Sequence, residues 1–191
     1  ASVEDKNNIL RTLPKTQVIE NVSNTHDVIY INQDREPFDD LRVRKAISLA
    51  VDKQSLVDSI YGPGGEISGP IPPVLGKWAL PLEERQSYLR YDPEEAKRLL
   101  AEAGFPNGFD TKVVVTPGYG ENVIRAAQWV VEDLRKIGIR AEVEVVEYST
   151  YISQTWPKQQ YDIIVGRQTP FLEADEWLVS QHRTGATRNW F

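Results

Sequence analysis

Apolar and polar positions follow a strand–helix–strand–helix–strand pattern between residues 111 and 165. Val113, Val114 and Val115 form a continuous apolar run, which is typical of a strand covered on both faces. Residues 139–147 alternate between apolar and charged positions, and residues 161–165 form another apolar run, so two further strands are expected. Apolar residues between these strands recur at three- and four-residue steps and predict a helix that ends at Gly138: Val123, Ala127, Val130, Leu134 and Ile137. Such alternation favours right-handed crossovers and a largely parallel sheet.

The first half of the chain adds shorter elements. A helix is expected at 5–13, strands at 17–22 and 27–32, and a broken helix from residue 41 in which Asp52 is a second N-cap. The run Asp92-Pro93-Glu94-Glu95 starts another helix, which Gly104 ends.

Residues 62–88 read as loop-rich, because their glycines and prolines interrupt regular structure. A short helix at 150–158 and a last helix beginning near Ala174 complete the prediction. The fold class is therefore α/β, with a mixed, largely parallel sheet and helices on both faces.

The composition excludes several classes of function. The 191 residues suffice for one large domain, or one domain with an extension, and a net charge of −6 argues against nucleic-acid binding. No apolar run approaches the roughly 18 residues of a membrane helix. Cysteine is absent, which excludes thiol nucleophiles, disulfides and cysteine-containing zinc sites. The chain also contains no methionine, so we expect a processed or excised piece of a longer protein.

Catalytic and metal-binding patterns are missing. The two histidines, His26 and His182, are far apart and lack a metal-ligand spacing. Glu142 and Glu144 alternate on a strand and form a solvated face, and the acidic residues at 173–176 suit the start of a helix. We expect no catalytic residue, no metal site and no cofactor, and therefore no enzyme.

Aromatic residues in loops point to recognition instead. Trp78 and Tyr119 follow glycines and prolines, where large aromatic side chains serve recognition about as often as they serve packing. Trp129 lies within the apolar helix pattern, so we expect it to face the sheet.

Three segments carry a resemblance to a known family. They are FDDLRVRKAISLAVDK at 38–53, YDPEEAKRLLAEAG at 91–104, and LRKIGI at 134–139, which leads to YDII at 161–164. In this order they resemble the family 5 extracellular solute-binding proteins, the peptide- and nickel-type receptors of ABC importers. The resemblance covers roughly residues 27–189.

The resemblance implies one lobe of a two-lobed, periplasmic-binding-protein-like fold. Residues 27–191 would be the C-terminal ligand-binding lobe, and residues 1–26 an N-terminal extension or hinge-proximal segment. Asn32 matches an asparagine at the end of the strand entering this lobe, and Arg42 and Arg44 match an arginine-rich helix that anchors it.

The function implied is binding of a small solute, with a peptide favoured over an oligosaccharide or a metal chelate. The whole receptor would be monomeric and extracytoplasmic, either periplasmic or lipid-anchored at the cell surface. It would close over its solute and engage the permease subunits of an importer.

The loop at 166–173 departs from the family. Arg167 stands where peptide receptors carry tryptophan, Pro170 stands where some carry an amine-binding aspartate, and Glu173 matches a second acidic position. The resemblance makes Tyr119 a ligand contact as well. A planar arginine suits a carboxylate, so Arg167 is expected to shape solute choice unless it pairs with Glu173 or Asp175.

The expected ligand-binding residues lie in three loops: Trp78, Tyr119, Gly166, Arg167, Thr169 and Glu173. Two other classes stay open, a sensor or regulatory protein built on the same fold, and an enzyme whose catalytic parts lie outside this chain.

Overall fold

A four-stranded mixed sheet organises the chain in the computed structural model, which describes residues 3–19, 23–62 and 65–186. The sheet order is β1-β4-β2-β3. Strand β2 is parallel to β3 and to β4, whereas β1 is antiparallel to β4. The strands are β1 Asp27–Ile31, β2 Asp110–Val115, β3 Arg140–Val145 and β4 Ile163–Arg167. The predicted α/β class is confirmed, and the three strands expected in one sheet lie together.

Helices begin where the sequence places caps. The Asp52 carboxylate accepts the Ser55 N–H at 3.0 Å, and the Asp92 carboxylate accepts the Glu95 N–H at 3.0 Å. Short 3₁₀ turns occupy Pro73–Trp78 and Pro117–Tyr119, and α7 continues into a wider turn at Tyr151–Thr155. The helices are α1 Val3–Thr12, α2 Leu41–Ala50, α3 Lys53–Ile60, α4 Leu82–Tyr88, α5 Pro93–Glu102, α6 Glu121–Lys136, α7 Tyr148–Thr150 and α8 Ala174–His182.

Both faces of the sheet are covered, as the valine run in β2 predicts. Val113 and Val115 face a core formed with α2, α5 and α6, whereas Val114 faces a second core that contains Tyr151, Phe171 and Trp177. Full burial of one such aliphatic side chain contributes about 1.5–3 kcal/mol. These two cores fix the sheet, and therefore the loops at its edges.

The arginines implied to anchor the lobe make contacts within it. Arg42 pairs with Asp40 and donates to the Glu102 carbonyl at 2.6 Å. Arg44 donates to the carbonyls of Phe38 and Asp39, at 2.7 and 2.9 Å.

Two local predictions are wrong. Residues 82–88 form α4 rather than loop, and residues 17–19 form no strand, while residues 20–22 lie outside the described residues. Helix α4 has no apolar stripe. Its buried side chain is Arg85, which donates to the Leu80 carbonyl at 3.0 Å and pairs with Glu66 at 2.6 Å.

Trp129 does not face the sheet. It is half-buried and lines a cavity between α6 and α3 together with Ser59 and Ile60, so that prediction is wrong as well. Within the ranges described, no helix has both the length and the apolar character needed to cross a membrane.

Candidate ligand-binding site

The loops expected to bind a solute meet at one edge of the sheet. Strands β2 and β4 are parallel, so the turn after β2 and the loop after β4 leave the sheet at the same edge. Strand β1 is antiparallel to β4, which brings its first residue, Asp27, directly opposite Arg167. Open α/β sheets bind ligands at the carboxyl ends of their parallel strands.

Arg167 is held by a carboxylate from the neighbouring strand. Its Nε donates to Asp27 Oδ1 at 2.9 Å and its Nη2 donates to Asp27 Oδ2 at 3.4 Å. The hydrogen bond to Asp27 in this ion pair raises the pKa of Arg167 above its ordinary value. The expectation that Arg167 could pair with Glu173 or Asp175 is wrong, because its partner is Asp27.

Tyr61 completes a chain of three groups. It lies at the C-terminal end of α3, and its hydroxyl donates to Asp27 Oδ2. Burial raises the pKa of Tyr61, and the hydrogen bond to Asp27 raises it further. The tyrosine is therefore a permanent donor at neutral pH.

Tyr119 lies at the same edge, within a group of three tyrosines. Its ring meets those of Tyr148 and Tyr151 edge to face, with centroids 5.6 and 5.7 Å away. Burial raises the pKa of Tyr119, and the positive charge of Arg167 acts in the opposite direction. The two side chains expected to contact ligand are thus close enough to interact electrostatically.

Two glycines allow these tyrosines to approach the backbone. A Cβ atom at Gly118 would overlap the ring of Tyr148, and one at Gly166 would lie 2.9 Å from the Tyr151 hydroxyl oxygen. Gly166 is buried beneath Tyr151, whereas Tyr148 is exposed. Tyr148 therefore offers an accessible ring beside Tyr119.

The other expected site residues are more dispersed. Thr169 is exposed, and its carbonyl accepts from Gln168 Nε2 at 3.1 Å. Glu173 is exposed at the start of α8, and Trp78 is 60% exposed with the Lys77 amine 5.0 Å from its ring centroid. Among the described residues, neither Glu173 nor Trp78 forms a hydrogen bond, ion pair or ring contact with Arg167 or Tyr119.

Sequence reasoning missed four residues of this edge: Asp27, Tyr61, Tyr148 and Tyr151. Asp27 is a single polar residue at the start of a strand, and its role depends on the register of β1 against β4. The tyrosines carry one detectable signal, since Tyr148 and Tyr151 follow a strand directly in a region rich in aromatic residues. Their convergence on Tyr119 requires the sheet order.

The opposite edge of the sheet has a different character. A cavity of about 800 Å³ opens there among charged side chains. These already pair with one another, as in Arg140–Asp110 at 2.6 Å and Arg35–Asp162 at 2.8 Å. In the part of the chain that the structure describes, no group of three or more histidine or acidic side chains is placed to hold a metal ion.

A single α/β lobe with aromatic and ionic side chains at the carboxyl edge of its sheet is an arrangement in which open α/β sheets bind ligands. The sequence profile of the bacterial extracellular solute-binding proteins, family 5 Middle, matches residues 3–189. This chain belongs to that family.

Similar proteins fall into the same group. The chain is 37% identical over 146 residues to heme-binding protein A of Haemophilus influenzae, covering 74% of this chain and 26% of that protein. It is 32% identical over 139 residues to the dipeptide-binding protein of Escherichia coli, covering 71% and 25%. The solved dipeptide-binding protein from a Pseudoalteromonas species, in complex with Met-Leu, is 28% identical and superimposes with a TM-score of 0.72, covering 89% of this chain and 34% of that one. The chain thus spans about a quarter of the length of the curated relatives it matches.

Proposed function

We propose that this chain is the C-terminal ligand-binding lobe of a longer extracytoplasmic receptor, which binds a small solute and delivers it to the permease subunits of an ABC importer. Residues 27–191 would form the lobe, with residues 1–26 as an extension or hinge-proximal segment. The observation that carries the proposal is the convergence of Arg167, Asp27, Tyr119 and Tyr148 at one sheet edge in a chain of this family.

A peptide is the favoured solute because its chemistry matches this edge. The Arg167 guanidinium suits a carboxylate, and the rings of Tyr119 and Tyr148 suit an amide plane or an apolar side chain. Thr169, Glu173 and Trp78 would contact the solute from loops at the margin of the cleft, and Gly166 would shape its floor beneath Tyr151.

The mechanism we infer is closure of two lobes over the solute. Solute pockets bury about 70–90% of a small ligand, so a second lobe must supply the other half of the cleft. Binding and release require no bond breaking, and in this proposal the described groups at this edge would hold and orient the solute. The receptor would be non-catalytic and monomeric.

Heme is the second candidate, favoured by the 37% identity to a protein named for heme binding. A heme carries carboxylates for Arg167 and a flat ring for Tyr119 and Tyr148. The exposed Tyr148 phenol belongs to a class of groups that ligate heme iron.

Calorimetry on the full-length parent protein tests the proposal. We expect micromolar or tighter binding of at least one dipeptide from a panel of differing side chains, with hemin binding followed in parallel by visible absorbance. Failure of every dipeptide, together with tight hemin binding, would replace the peptide by heme. Failure of both would refute the proposed site chemistry.

A further inference from the structure

Among the described residues, a protein group occupies one edge of the Arg167 guanidinium and none occupies the other. Asp27 takes the side-on edge, formed by Nε at 2.9 Å and Nη2 at 3.4 Å. The end-on edge, which Nη1 and Nη2 form, can receive a second carboxylate with two parallel hydrogen bonds. Within the described residues, Nη1 donates to no protein group.

The accessibility of the pair is asymmetric. The Arg167 side chain is 38% exposed and the Asp27 side chain 15% exposed. The guanidinium is therefore more accessible to solvent than the carboxylate. A solute at this edge can reach the arginine more readily than the aspartate.

Asp27 is itself fixed from two sides. Its backbone is paired with Arg167 across β1 and β4, and the Tyr61 hydroxyl at the end of α3 donates to Oδ2. Three elements of the fold thus determine where the guanidinium points.

We propose that Asp27 and Tyr61 are positioning residues for carboxylate recognition, which hold Arg167 by its side-on edge so that its end-on edge faces the solute. This inference rests on the proposed function and deepens it, because it names a carboxylate as the group that the site selects. Neither positioning residue needs to touch the solute.

Two effects of Asp27 oppose each other, and their sizes decide the outcome. An unrestrained arginine would lose rotamer freedom on binding, equivalent to about 30-fold in affinity at most. Repulsion between a partly exposed Asp27 and the solute carboxylate is equivalent to about fivefold or less. With each effect at its upper bound, positioning exceeds repulsion by about sixfold, so removal of Asp27 should weaken carboxylate binding by about five- to tenfold.

The test compares a dipeptide with its C-terminal amide on the full-length parent protein, by calorimetry. Wild type should bind the free acid at least about tenfold more tightly than the amide, since one bidentate ionic contact is lost. Asp27→Ala should weaken the acid by about five- to tenfold and leave the amide within about twofold. Tyr61→Phe should act in the same direction by about two- to threefold.

Two further variants separate charge from geometry. Arg167→Lys keeps the positive charge but lacks the planar edge, so it should reduce acid binding nearly to the level of the amide. Asp58→Ala removes an exposed carboxylate from α3, the helix that ends just before Tyr61. This control should change neither the affinity for the acid nor the affinity for the amide. Thermal melts confirm that each variant is folded.

Each outcome is decisive. Equal losses for acid and amide in Asp27→Ala would mean a purely structural role, and tighter acid binding would mean that Asp27 competes with the solute; either overturns the inference while leaving the proposed function intact. If Asp27→Ala does not fold, Tyr61→Phe carries the comparison, and an unchanged acid-to-amide ratio overturns the inference. If wild type binds neither the acid nor the amide, the peptide is not the solute, and that part of the proposed function fails.

Discussion

Asp133 connects α6 to the start of α3, so its substitution tests the packing that positions the site. Its side chain is 2% exposed on α6. The carboxylate accepts the Asp52 backbone N–H at 2.9 Å, at the start of α3, and pairs with the Lys136 amine at 2.7 Å. Helix α3 leads to Tyr61, so this contact supports the group that holds Asp27.

The loss of stability expected for Asp133→Ala can be worked out from these contacts. Loss of a buried hydrogen bond to a charged acceptor costs about 1.5–3 kcal/mol. The pair with the exposed Lys136 adds about 1 kcal/mol or less, and the higher helix propensity of alanine returns about 0.5 kcal/mol. We expect a net loss of about 1–3.5 kcal/mol in the free energy of unfolding.

Urea unfolding of the 191-residue chain, followed by circular dichroism, measures this loss. With a slope of about 2 kcal/mol per molar, the midpoint should fall by about 0.5–1.8 M urea. The matched control is Glu132→Ala, which removes the neighbouring carboxylate of α6 and its exposed pair with Arg135 at 2.7 Å. The control should stay within about 0.5 kcal/mol of wild type. If both variants lose the same stability, the buried contact with Asp52 does not hold α3 in place.

Three further predictions concern stability and binding. Burial lowers the pKa of Lys53 from 10.5 to about 8, so the unfolded state binds more protons than the folded state between these pH values. The free energy of unfolding should therefore rise with pH across that window, by up to about 3 kcal/mol. Lys53→Met should flatten this rise in urea titrations at several pH values. Burial also lowers the pKa of His26 below 6.5, so the free energy of unfolding should fall as the pH drops below about 6.5. If a His26→Phe variant shows the same fall between pH 7 and 5, His26 is not its cause. The isolated 191-residue chain should fold but bind a dipeptide at least about 100-fold more weakly than the parent by calorimetry, because half the cleft is missing; micromolar binding by the chain alone would count against the two-lobe proposal.

The regular core could be predicted because its signals are local. Helix α6 has an apolar stripe at three- and four-residue steps. A strand covered on both faces is predicted by the run Val113, Val114 and Val115. Asp52 and Asp92 mark helix starts through hydrogen bonds to residues three positions away. Such contacts need no knowledge of the tertiary fold.

The remainder depends on contacts between distant segments. Helix α4 buries an arginine rather than an apolar stripe, so hydrophobic periodicity misses it. Trp129 lies at the margin of its stripe, where one helical position decides between the sheet and α3. The partner of Arg167 is 140 residues away, and its identity follows from the antiparallel register of β1 against β4. Position in the loop could predict that Arg167 lies at the sheet edge, but it could not predict that Asp27 holds it.

Hydrogen–deuterium exchange on the full-length parent protein can show where the solute binds. Exchange would be followed with and without a saturating dipeptide that calorimetry has shown to bind. Solute binding should slow exchange at residues 116–120, after β2, and at residues 166–173, after β4. Slowed exchange confined to other segments, with these two loops unchanged, would contradict it.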